Sequence, residues 1–129
     1  MIGKVIKSLL VSNIDLTALV PEDSIFPYVL NENTALPAII YTINGLESDY
    51  TKDGWNWDDI TFSVISLSDN YNTLQSIVYQ VRTALELKYA SVEGVTIEKI
   101  YLTGMDEGFN LVESVFMNRL TFTVKMNTY

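Results

Sequence analysis

The sequence predicts an α+β domain: a mainly antiparallel sheet of four to five strands with two helices packed on one face, in the order α-β-β-β-α-β-β. Two observations carry this. Apolar residues repeat at helical spacing in two separate segments, Ile2 to Leu10 and Leu74 to Leu85. Alternating runs rich in β-branched and aromatic residues fill most of the rest, adjacent to one another in the manner of hairpins. No linker, low-complexity run or internal repeat interrupts the pattern, so residues 1–129 are expected to form a single domain.

In the first segment Ile2, Val5, Ile6, Leu9 and Leu10 share one side while Lys4, Lys7 and Ser8 take the other, which predicts an amphipathic helix ending by Asn13. Pro21 bars a helical continuation from the short turn "DLTALV". The run "SIFPYVL" carries an internal proline, which cannot donate to a ladder and so points to an edge strand or a bulge. Asn31 to Pro37 reads as a connection. Pro37 then opens a strand from Ala38 to Asn44 with Ile39, Tyr41 and Ile43 on one face.

From Trp57 to Leu67 the apolar positions run Ile60, Phe62, Val64 and then change phase to Ile65 and Leu67, a slip that predicts a bulge or sharp twist in this strand. Leu74, Ile77, Val78, Val81 and Leu85 mark the strongest helix, about Asn72 to Lys88, with Asn72 and Gln75 as a capping-box-like start. "SVEG" is expected to end it. Two long strands follow, "VTIEKIYLTG" and "SVFMNRLTFTVKM", joined by a loop that Gly104 and Gly108 of "TGMDEGFN" punctuate. In the last strand Leu120, Phe122, Val124 and Met126 alternate with Thr121, Thr123 and Lys125, so one face is buried.

Composition narrows function. With 48% apolar against 19% charged residues, 129 residues can order around one core. The chain has no cysteine and no histidine, which excludes disulfides, thiolate or imidazole metal ligands, cysteine nucleophiles and imidazole bases. A net charge of -8 repels phosphate backbones and anionic membrane surfaces, so direct nucleic-acid or membrane binding is not expected. Polar residues interrupt the N-terminal apolar segment, so it lacks the continuous core of a signal peptide and falls short of the ~20 apolar residues of a span.

One stretch collects the chemistry on offer: "DYTKDGWNWDD", residues 49–59, with four aspartates and both tryptophans. Asp49, Thr51, Asp53 and Gly54 match the first half of a calcium loop, but Ile60 stands where the closing bidentate glutamate belongs, and the flanks read as strands. Asp58 and Asp59 are neighbours on a strand and point to opposite faces, so they cannot act as paired carboxylates, and Asp106 with Glu107 shares the defect. Ser63 and Ser114 have no histidine to activate them. No catalytic residue, metal or cofactor is expected. Tyr41, Tyr71, Tyr79 and Tyr89 read mostly as core or sheet-edge packing. Trp55 and Trp57, two apart on an extended arm, project the same way and make a partner surface with Tyr50, Asp53 and Asp58, or else fold back onto the sheet.

The element order, together with "LPAIIYTI", "WDDITFSVISLSDNYNTLQSIVYQVRTAL" and "RLTFTVKM", resembles the tail completion, or tail terminator, proteins of long-tailed bacteriophages and related prophage-encoded domains. The likeness spans nearly the whole chain and rests on apolar patterns. It implies a non-catalytic virion protein that is made in the host cytoplasm and forms a ring, commonly a hexamer, capping the tail tube and meeting the head-tail connector. An acidic ring would also let DNA slide through. The aromatic, acid-rich arm at 49–59 departs from the looser family pattern. Two other roles stay open: a head-closure or neck adaptor, and a monomeric ligand-binding or regulatory domain using the loop around Trp55.

Overall fold

Helix α1 (Ile2–Val11) forms where the apolar stripe predicts it and buries Ile2, Val5, Ile6 and Leu10. The computed structural model describes residues 2–29, 35–50 and 56–127, with 48–50 and 56 by their backbone alone. A second helix, α2 (Ile14–Leu19), stands where only a turn was expected. It is too short to show a stripe, and local chemistry makes it: the Asn13 side chain accepts from the Leu16 N–H at 3.1 Å, filling one of the donors that a helix start leaves open.

A 3-10 turn at Glu22–Ser24 leads into β1 (Ile25–Pro27), β2 (Ala38–Tyr50) and β3 (Asn56–Ser68), followed by α3 (Tyr71–Leu85), β4 (Ala90–Val92), β5 (Val95–Ile97), β6 (Tyr101–Asn110) and β7 (Val115–Asn127). Among the described residues these strands form one seven-stranded sheet, not one of four to five. Its order is β1-β2-β3-β7, and the far side of β7 is shared by β6 and by β5, with β4 beyond β5. β1 pairs parallel with β2, and the other described pairings are antiparallel. The mixed α+β class stands, with three α-helices in place of two.

One extra strand comes from a segment read as punctuation, and the other from "VTIEKIYLTG", expected as one strand, which divides into β5 and β6 with 98–100 outside either. "SVEG" does not end a helix: α3 stops at Leu85, and Glu93 and Gly94, at φ 49° and 80°, make the two-residue turn of a β4–β5 hairpin. Two successive positive φ values match the right-handed twist of the flanking strands. "TGMDEGFN" is strand rather than loop, paired with β7 along its length. The turn lies further on, at 111–114, where the Asn110 side chain accepts from the N–H groups of Val112 and Glu113. The cap of α3 is Asn70 rather than Asn72, its side chain accepting from the Thr73 N–H at 3.1 Å.

The phase change in β3 is not a bulge against β7. Register with β7 runs unbroken from Asp58 to Ser68, Ser66 and Ser68 keep the buried side, and Ile65 and Leu67 half-bury on the other face. The irregularity sits on the neighbour instead, where β2 carries an extra residue at Asn44 between Ile43 and Gly45.

One apolar cluster joins Val5, Ile6 and Leu10 of α1, Leu74, Ile77 and Val81 of α3, and the buried sides of β2, β3 and β7. At its centre Phe62 and Phe122 are directly opposite across β3 and β7, their rings stacked at 5.3 Å, and both are fully buried. Such a cross-strand aromatic pair adds roughly 0.5–1.5 kcal/mol to what its area contributes.

At the surface, Lys4 of α1 donates to Glu93 in the β4–β5 turn at 2.7 Å, with both side chains well exposed. The hydrogen bond, and then the charge, of Lys4 lower the Glu93 pKa, and the same contact raises that of Lys4. The pair is therefore complete between the two folded values. Its contribution is lost from the Glu93 side as pH falls through that carboxyl's folded pKa, and from the Lys4 side as pH rises through the amine's. An NMR titration should find the Glu93 carboxyl below the usual glutamate range, and Lys4→Met should return it there.

Candidate interaction surface

The two long hairpins point to opposite ends of the sheet. Because Asp58 of β3 lies opposite Met126 of β7 and Ser68 lies opposite Phe116, the β2–β3 tip is at one end and the β6–β7 turn at the other. Between them the face away from the core is self-satisfied. The side chain of the bulged Asn44 donates to Ser63 Oγ at 2.7 Å, Ser63 and Thr121 share a hydrogen bond at 3.3 Å, and the Thr103 hydroxyl donates to the Thr121 carbonyl at 3.2 Å. Polar side chains thus cross the sheet from β2 to β6. Lys125 pairs with Asp59 and Arg119 with Asp106, each pair directly opposite across strands, and exposure limits such pairs to about 0–1 kcal/mol.

Of the predicted surface residues, Tyr50, Trp57 and Asp58 fall within the described residues. Asp53 and Trp55 lie outside the described residues, as do Thr51 and Gly54 of the calcium match. Tyr50 is the last residue of β2, opposite Asn56, and is described by its backbone. Trp57 is half-buried on β3 opposite Asp49. Asp58 belongs to a strand paired on both sides, with β2 and with β7, so the projecting part of the arm is shorter than residues 49–59.

The other tyrosines bear out the sequence reading only in part. Tyr41 is buried, and burial raises its pKa. Tyr71, Tyr79 and Tyr89 are exposed instead. Tyr71 stands at the start of α3 with its ring edge-on to Phe116 at 5.4 Å and its hydroxyl donating to Glu107 at 3.0 Å, a bond that raises its pKa.

Sequence reasoning missed the most apolar surface. Along β6 and the turn after it, Tyr101, Met105 and Phe109 are about half exposed, and Leu111 and Val112 are 83% and 94% exposed. Beside them a groove of about 570 Å³ is lined by Leu67, Phe109, Leu111, Val115 and Met117, among others. The signal was present as an apolar residue at every fourth position from Tyr101 to Phe109. Reading the two glycines as a loop hid it.

The arrangement offers contact surface: open strands, exposed aliphatic and aromatic side chains, and acids tied to their own chain. No described helix is long and apolar enough to cross a membrane. The fold is similar to that of a chain in a solved structure described as the virion of a native gene transfer agent particle, with a TM-score of 0.77 at 13% identity, covering 95% of this chain and 91% of that one. Comparison with curated proteins finds no match. The family model described as tail completion protein gp17 matches residues 4–110, from α1 through β6, and the chain belongs to that family.

Proposed function

We propose that this protein is a structural component of a phage-type virion tail. It forms a ring, a hexamer by family likeness, that closes the tail tube and meets the head-tail connector. The observation that carries the reading is the family match over residues 4–110. A fold shared with a chain of a virion particle supports it, as does a surface built of pairing edges and apolar side chains. The work is done by self-association and complementary surfaces rather than by turnover. A net charge of -8 suits a ring through which DNA passes, because it gives phosphates little to bind.

If the ring stops tube growth, particles made without this gene should carry overlong tails lacking heads, and the protein supplied in trans should restore length and joining. Tails of normal length joined to heads would overturn the capping role. The β2–β3 arm is assigned to a neighbouring protein through Trp55 and Trp57, with Tyr50, Asp53 and Asp58 around them. Replacing both tryptophans by alanine should leave thermal unfolding near wild type and weaken head-tail joining. Unfolding of the double variant would place those rings in the core.

A further inference from the structure

We propose that the open edge of β6, from Gly104 to Asn110, pairs with β2 of a second copy of this chain along Gly45–Tyr50. This rests on the ring reading and names the surface that would build the ring.

The two sides of the sheet are unequally protected. On the β2 side, the short strand β1 ends at Pro27 and covers Ile39 to Tyr41. Tyr28 carries the cover further: its N–H donates to the Tyr41 carbonyl at 3.0 Å, and its hydroxyl accepts from the Ile43 N–H at 3.4 Å. The bulge at Asn44 follows. A short edge strand, a proline and a bulge are the usual defences against unwanted pairing. Past the bulge they stop, and among the described residues Gly45–Tyr50 is paired with β3 alone. On the far side, among the described residues, β6 is paired with β7 alone at nine of its ten residues, with a bulge at Thr103 and no proline or lysine in it.

The acids of β6 do not guard its edge, because both are held by their own chain, Asp106 by Arg119 at 2.9 Å and Glu107 by the Tyr71 hydroxyl. Apolar residues are exposed beside them, Met105 and Phe109 on the strand and Leu111 and Val112 just past it. Gly104 and Gly108 add a further indication. Neither has a positive φ, and a Cβ built on them would meet only Thr121 at 3.9 Å and Met117 at 3.6 Å, which is ordinary contact. Gly45 is alike, with nothing within 4 Å. Space within the chain does not require glycine at any of the three; Gly45 and Gly104 each follow directly on a bulge, a common place for glycine, whereas Gly108 lies in regular pairing, where glycine marks close approach by another backbone.

Strand direction selects the partner. β3 runs opposite to β2, β7 opposite to β3, and β6 opposite to β7, so β6 and β2 are antiparallel. A sheet continued from copy to copy therefore sets β6 of one against β2 of the next in the antiparallel sense, seven residues facing six. The contact uses two different edges, so it repeats head to tail and closes into a ring when the rotation per copy divides the circle.

Sedimentation velocity over a concentration series, with amide hydrogen exchange on the same samples, tests the pairing. Multimers should appear with concentration, and slowed exchange should be confined to 104–110 and 45–50. Met105→Lys with Val112→Lys on one edge, or Leu46→Lys on the other, should weaken association by about tenfold or more with unchanged thermal unfolding. A chain that stays monomeric throughout, or multimers whose 104–110 amides exchange as in the monomer, would overturn the pairing. Loss of association in the β6 variant with none in Leu46→Lys would overturn β2 as the occupant. None of these results bears on the tail lengths that judge the capping role, so the two claims fail separately.

Discussion

Phe62→Ala is expected to destabilise the chain by about 3–5 kcal/mol, measured as a shift of the urea midpoint with little change in slope. The ring is fully buried, stacks on Phe122 at 5.3 Å and belongs to the central strand of the β2-β3-β7 array. Truncation removes its burial and leaves a void in a cluster that also contains residues of α1 and α3. Since domains are stable by only about 5–15 kcal/mol, this one change removes a large share. The double variant Phe62→Ala with Phe122→Ala should cost less than the sum of the two, because each single change already breaks the stack. Strict additivity would mean that the two rings pack independently.

Asn118→Leu is expected to act the other way, raising stability by about 1–3 kcal/mol in the same measurement. Asn118 is 1% exposed, and neither polar atom of its side chain has a hydrogen-bond partner among the described residues. It lies between Ser66 of β3 and Glu107 of β6, where Leu120, Phe122, Val124 and Met126 continue the buried side of β7. Leucine would extend that row and remove the desolvation cost of an unsatisfied amide. A loss of stability would instead show that a buried water bonds the amide in solution.

The parts of the fold legible in the sequence were those with an uninterrupted period. The stripe of α1, the face shared by Ile39 and Tyr41, and the alternation from Leu120 to Met126 each came through, because one buried side repeats long enough to be seen. Short elements did not. α2 depends on the Asn13 cap, and the β4–β5 hairpin on a two-residue turn with positive φ at Glu93 and Gly94, neither of which leaves a period. β6 was lost for another reason: Gly104 and Gly108 read as loop residues, although both pair with β7 and neither has a positive φ.

Of the predicted surface, Trp57 and Asp58 are placed, and Tyr50 by its backbone; Asp58 is part of the central pairing. Composition carried function further than any motif did. The absence of cysteine and histidine removed most catalytic chemistries, and the resemblance to tail completion proteins is shown by the family match. The exposed apolar strip on β6 required the structure, because only pairing on one side reveals an edge.

The most direct test of the tail-end role is to locate the protein in assembled particles by cryo-electron microscopy of purified tails. A single ring into which this fold fits is expected at the end of the tube that meets the head and nowhere along its length. Density for the chain repeated along the tube, or absent from the tail, would contradict that role.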